Sequence, residues 1–157
     1  MSNTLVLYYS ATGTTEKMAQ QLADQLNADI AEVHPAQPYT AADLNYNNAN
    51  SRTSIEQHQH YFQVAVSDDL PNIDDYDNIL IASPIWFGIP PRLIAGLIDK
   101  LPLNNKTVAG CATSGGSSFA RCQSFIERTV LENNYQNVTI KSGAVLNIDR
   151  WAAGLNL

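Results

Sequence analysis

Residues 5–26 read LVLYYSATGTTEKMAQQLADQL, and two periodicities meet inside them. Leu5 to Tyr9 is a short apolar run closed by Ser10, Ala11, Thr12 and Gly13. A run of this kind bounded by turn residues reads as a buried strand. From Glu16 the spacing changes. Met18, Ala19, Leu22, Ala23 and Leu26 recur at helical intervals, with Gln, Asp and Lys between them. The stretch is therefore strand, glycine turn, helix. Its turn carries Ser10, Thr12, Thr14 and Thr15 around Gly13, at the positive end of the helix dipole. Backbone N–H groups and hydroxyls gathered there suit a phosphate. The plainer alternative is that the hydroxyls only cap the helix.

The turn contains neither Lys nor Arg. It lacks the G-x-x-x-x-G-K-[ST] pattern of nucleoside triphosphatases and the G-x-G-x-x-G of dinucleotide sites. Neutral hydroxyls and amides suit a single phosphomonoester held as a fixed anchor.

The same alternation runs down the chain. Residues 28–33 read as a second strand stopped by Pro35 and Pro38. The polar segment 39–62 admits a helix capped by Thr40 with Asp43 at the third position. Four asparagines within residues 45–50 oppose it. Residues 78–83 (NILIAS) form a strand. Pro90 and Pro91 then open a helix with Leu93, Ile94, Leu97, Ile98 and Leu101 on one face. Residues 106–113 are a strand. Residues 119–134 are a helix with Phe119, Cys122, Phe125, Ile126, Val130 and Leu131 facing inward. Residues 138–146 are the last strand, and the tail from Asp149 has room for about two helical turns. Strand–helix alternation implies an α/β fold: a doubly wound five-stranded parallel sheet covered on both faces. Residues 1–157 are expected to form one domain.

In such sheets ligands sit beyond the carboxyl ends of the strands. Two more loops leave those ends with distinctive composition. Pro84, Ile85, Trp86, Phe87 and Gly88 place two aromatics in a proline-stiffened loop. It reads either as a stacking surface for a flat ring or as cover for the sheet edge. Thr113, Ser114, Gly115, Gly116 and Ser117 set a glycine pair among hydroxyls. That is either a donor surface for a polar ligand edge or a flexible turn.

Composition narrows the function. The net charge of −6 argues against nucleic acid and anionic membrane surfaces. The opening MSNTLVLYYS has no basic region, and no stretch reaches a membrane span. Cys111 and Cys122 make neither a disulfide framework nor a zinc site. A reduced, cytoplasmic protein is expected, with no metal and no separate catalytic side chain. His58 and His60 stand two apart, wrong for one helix face, and have no carboxylate or Cys partners at metal spacing; His34, beside Pro35, reads as a surface residue near a strand end. Residues 68–77 hold five aspartates, either a solvated turn or a docking face for a basic partner.

S-x-T-G-x-T after the first strand, Y-D-x-I-L-I-x-S-P-I-W-F-G-x-x-P in the middle and A-T-S-G-G-S-S after the fourth strand occur in order over nearly the whole chain. With these motifs the sequence resembles the flavodoxins, in particular the compact bacterial flavodoxin-like group. The resemblance implies strand order 2-1-3-4-5 and one non-covalent FMN. It implies that Ser10, Thr12, Gly13, Thr14 and Thr15 hold the phosphate. Pro84, Ile85, Trp86, Phe87 and Gly88 would border the isoalloxazine, and Thr113 to Ser117 would meet its pyrimidine edge. The middle motif departs from the group in carrying Phe87 where a second tryptophan is frequent.

The implied function is a low-potential electron carrier that meets redox partner proteins through an acidic surface, as a monomer or weak dimer. Two alternatives stand beside it. One is a small FMN-dependent NAD(P)H:quinone, nitro or azo reductase. The other is a non-redox flavin-dependent interaction protein.

Overall fold

Three apolar runs form the middle of the sheet because each is buried on both faces. In the computed structural model, which describes residues 3–59, 63–114 and 116–157, these are β1 (Thr4–Tyr8), β3 (Asn78–Pro84) and β4 (Thr107–Thr113). β2 (Asp29–Glu32) and β5 (Thr139–Ile140) flank them. The order is β2-β1-β3-β4-β5, all parallel, with Leu5 opposite Ile79 and Ile79 opposite Val108. This is the flavodoxin-like α/β arrangement expected.

Alternation along the strands divides the core in two. Leu5, Leu7, Ile79, Ile81 and Val108 face α3 (Leu93–Lys100) and α4 (Ala120–Glu132). Val6, Tyr8, Leu80, Ala82, Ala109 and Cys111 face α1 (Thr14–Leu26) and α5 (Ile148–Ala153). Each fully buried Leu or Ile contributes roughly 1.5–3 kcal/mol. The apolar face of α3 is buried as expected. In α4, Cys122, Phe125, Ile126 and Val130 are buried behind Phe119, but Leu131 is 76% exposed. It lies one residue past Val130 and so turns about 100° off the buried stripe.

Two other expectations shift. The reciprocal bonds of the expected cap do form: Asp43 Oδ2 accepts from Thr40 N–H (2.9 Å) and Thr40 Oγ1 from Asp43 N–H (3.1 Å). They close a single turn rather than a helix. Asparagine side chains then capture the backbone, with Asn45 Oδ1 accepting from Asn47 N–H and Asn48 Oδ1 from Asn50 N–H. The helix of this segment, α2 (Arg52–Gln57), begins instead at Ser51, whose Oγ accepts from Ser54 N–H.

The last strand is also interrupted. After Ile140 the chain passes Gly143 and returns beside β4, where Ala144 O accepts from Ala112 N–H at 3.0 Å. A Cβ on Gly143 would lie 2.2 Å from the Phe119 ring and 2.3 Å from Gly110 O. The absence of a side chain at Gly143 is what lets the chain pass this close to Phe119 and β4.

The C-terminal segment closes the sheet edge. Trp151 Nε1 donates to Ser142 O (2.8 Å), Lys141 Nζ donates to Leu155 O (2.6 Å), and Leu155 is buried. Asn3 and Thr4 line one cleft together with Asn156 and Leu157. All five aspartates of residues 68–77 are exposed. Asp68 pairs with Lys100, and Asp69 with His34 at 3.3 Å.

Candidate functional site

The carboxyl ends of β1, β3 and β4 converge on one edge, and the three loops meet there. Tyr9 N–H donates to Ala82 O, which fixes the exit of β1 against β3. The chain then turns at Gly13, whose φ of 94° favours glycine. Ser10 Oγ accepts from Gly13 N–H at 3.0 Å and tightens the turn. No side chain caps the 13-residue helix α1. The N–H groups of Thr14, Thr15 and Glu16 have no intrahelical acceptor. The capping alternative is therefore not what the geometry shows. An uncapped helix N-terminus rimmed by the Thr12 and Thr14 side chains is suited to an anion.

Thr15 is used differently. It is buried, and its Oγ1 lies 2.7 Å from Thr113 Oγ1, joining the first loop to the third. In the third loop Ser114 Oγ accepts from Gly116 N–H (3.2 Å) and Ser117 N–H (2.9 Å). Ser114 thus shapes the loop as well as lining the site. Gly115 lies outside the described residues.

In the aromatic loop Trp86 N–H donates to Ile89 O (2.8 Å) and Ile89 N–H to Trp86 O (3.3 Å). Phe87 (φ 54°) and Gly88 (φ 86°) form the two-residue tip, both left-handed. This is the backbone signature of a type I′ turn. Asn supplies the other six left-handed non-glycine positions among the described residues, so Phe87 is the exception. The turn separates the two aromatic side chains. Trp86 lines a cleft of about 640 Å³ shared with Pro84, Ile85, Thr113 and Ser114, and with Thr12 and Thr14. Phe87 points away, with its ring centroid 4.6 Å from that of His58, and lines a second cavity. Gly88 packs on Arg121, whose Nη1 approaches Phe87 O at 3.5 Å.

Behind Trp86 the packing is aromatic and polar. Its ring meets Tyr9 and Tyr39 edge-on, each with centroids 5.7 Å away. Tyr39 Oη donates to Glu56 (2.6 Å), and Glu56 accepts from Arg52 Nε (2.8 Å). Arg52 also lies 4.0 Å over the Tyr39 ring. Burial pushes the Tyr9 phenol up to about 12. Burial, then the bond to Glu56, raises Tyr39 further. Both stay protonated near neutrality.

Gln57 ties this layer to the loop. It is 5% exposed, and its Nε2 donates to Trp86 O (2.9 Å) and Pro90 O (3.1 Å). Its Oε1 accepts from Arg92 N–H at 2.9 Å. Sequence reasoning missed Gln57 and Arg121. The only signal for either was its type: an amide in a polar segment, and a cation one turn past a glycine loop.

A family model for flavodoxin matches residues 3–154. The chain belongs to the flavodoxin family. A candidate flavoprotein from Bacteroides eggerthii is 36% identical with a TM-score of 0.89, covering 100% of this chain and 99% of its own. A second, from Bacteroides uniformis, is 33% identical with a TM-score of 0.82, over 97% and 98% of the two chains. A flavoprotein from Lactobacillus acidophilus, solved in complex with FMN, is 25% identical with a TM-score of 0.70, over 97% and 99%. No curated protein matches the sequence. In this flavodoxin the burial of Cys111 and Cys122 raises both thiols, to about 12 and about 11. Neither cysteine lines the cleft. Among the described residues no helix is long and apolar enough to cross a membrane.

Proposed function

We propose that residues 1–157 form one FMN-binding domain that works as a low-potential electron carrier. The observation that carries this reading is the convergence of an uncapped helix N-terminus, the Trp86 loop and the Thr113–Ser114 loop on one cleft. The Lactobacillus relative that binds FMN supports it. The N–H groups that open α1, with Thr12 and Thr14, would hold the phosphate. Trp86 would cover the ring and exclude water, stiffened by Gln57. Ser114 and Ser117 would meet its polar edge. FMN, when bound, supplies one- and two-electron chemistry.

The surroundings favour a low potential. The three loops contain no cation, and the chain carries a net charge of −6. Negative charge around the ring opposes the addition of electrons. Arg121 is the nearby exception, at the Phe87–Gly88 turn. The net charge of −6 would steer a basic redox partner in the cytoplasm; Asp77, at the amino end of β3, lies on the edge opposite the cleft.

The test is direct. Titration with FMN should quench flavin fluorescence at a one-to-one ratio, and a redox titration should resolve two one-electron steps. Failure to take up FMN sinks the reading. Steady oxidation of NAD(P)H in the presence of a quinone would make the protein a reductase instead. The second cavity beside Trp86 is the feature that favours that alternative.

A further inference from the structure

The wall formed by Ile85 and Trp86 has two sides. One faces the cleft assigned to FMN; the other faces a separate cavity of about 270 Å³. The second cavity is completed by Leu44, Tyr46, Thr53 and Phe87. Among the described residues six line it, three of them aromatic and none charged. Of the two hydroxyls in this lining, those of Tyr46 and Thr53, the second is already committed, since Thr53 Oγ1 donates to Asp43 O at 2.7 Å. The neighbouring cation is committed too, as Arg52 is bonded to Glu56 and to Gln37 O and stacked on Tyr39.

Two features mark the cavity as more than a packing gap. Tyr46 is 71% exposed and Phe87 39% exposed, so large aromatic surfaces stand in water at its mouth. Exposed apolar patches of this kind mark interaction sites. Phe87 also holds a left-handed backbone conformation that, at the other non-glycine positions described, only Asn adopts. Strain in a non-glycine residue collects where function requires it. Here it directs the Phe87 ring to this cavity rather than to the cleft.

We propose that this cavity binds a planar, uncharged aromatic molecule of one or two fused rings, and that a quinone bound there takes electrons from the flavin past Trp86. The size fits: the volume lies just below the roughly 300–1,000 Å³ of sites for drug-sized ligands. Aromatic walls without charges select a flat neutral molecule. In the transfer, reduced FMN loses two electrons and two protons and returns to its oxidised form. The quinone gains two of each, and both carbonyls become hydroxyls. The transfer rests on the FMN reading; the binding does not.

The binding is tested on FMN-free protein with methyl-labelled Leu, Ile and Thr, titrated with 2-methyl-1,4-naphthoquinone. Saturable shifts at Leu44, Thr53 and Ile85, with Thr12 and Thr14 unmoved, are expected. Leu44→Trp fills the cavity and should weaken binding at least tenfold while FMN affinity stays unchanged. Tyr46→Ala acts on an exposed side chain, so the fold is not at stake, and should weaken binding severalfold. Shifts confined to Thr12 and Thr14, absence of saturation, or equal affinity in both variants would overturn the proposal. In the second arm, dithionite-reduced holoprotein is mixed with the quinone without oxygen. Flavin reoxidation should saturate with quinone, and Leu44→Trp should abolish the saturation; saturation that persists in Leu44→Trp overturns the transfer. If FMN does not bind, the function reading fails while the first arm still decides the site.

Discussion

Gln57→Leu isolates the link between α2 and the aromatic loop. The substitution keeps most of the volume and removes both polar atoms. Three hydrogen bonds disappear, to Trp86 O, Pro90 O and Arg92 N–H. The residue is buried, so water cannot replace them fully. A typical intramolecular hydrogen bond contributes about 0.5–1.5 kcal/mol, and a stranded buried partner costs more. The expected loss is about 3 kcal/mol, a large share of the roughly 5–15 kcal/mol that holds a domain folded. With a urea slope near 2 kcal/mol/M, the unfolding midpoint should fall by about 1.5 M. FMN affinity should fall as well, since Trp86 loses the bond that fixes its carbonyl. Gln20→Leu is the control: its amide makes one exposed bond to Asp24. It should change stability by less than about 0.5 kcal/mol. If Gln57→Leu unfolds within that margin of the parent, or binds FMN equally well, the clamp has no energetic role and the reasoning fails.

Thr15→Val deletes a buried hydroxyl bonded to Thr113 and should cost about 1 kcal/mol by urea unfolding, with weaker FMN binding; unchanged affinity would separate the two loops. Gly143→Ala forces a methyl into the Phe119 ring and Gly110 O and should cost about 1–3 kcal/mol. Gly13→Ala meets no atom within 4 Å and should cost only its left-handed strain, about 1 kcal/mol; calorimetry should rank the pair in that order. A thiol reagent at pH 8 should label neither Cys111 nor Cys122 until the chain unfolds, because burial lifts both thiols to about 11 or above; rapid labelling of native protein would contradict it. The sign of the alkaline response follows from the same burial. Cys111 and Tyr9 keep their protons in the fold while the unfolded chain loses them. Stability should therefore be intact below pH 9 and decline as pH rises from 9 towards 12.

The sheet was legible because its central strands are apolar on both faces and its helices carry clean stripes. Leu5 to Tyr9, followed by Gly13 and the α1 spacing, announces one βα unit, and the pattern recurs. The turn between β1 and α1 was legible for the same reason, being local: Ser10, Gly13 and α1 are adjacent in sequence. What was hidden depends on distant partners. Thr40 and Asp43 form the expected reciprocal bonds, yet the asparagines after them draw the backbone into turns. Past the break in the last strand, Gly143 packs against Phe119, more than twenty residues upstream. That Phe87 stays out of the cleft that Trp86 lines comes from a left-handed tip that a Phe–Gly pair does not advertise. Gln57 reveals itself only when three carbonyl and amide groups from the β3–α3 connection close around it.

The shared cleft of Asn3, Thr4, Asn156 and Leu157 makes this chain a candidate for circular permutation. Asn3 and Leu157 line that one cleft, so a short glycine–serine bridge between them could be added without disturbing β1 or the C-terminal segment. New ends opened among the exposed asparagines of residues 45–50 would fall between β2 and α2, away from the strand pairings. Such a rearranged chain would place a fusion partner next to the second cavity, whereas a fusion at Leu157 starts from the cleft that it shares with Asn3.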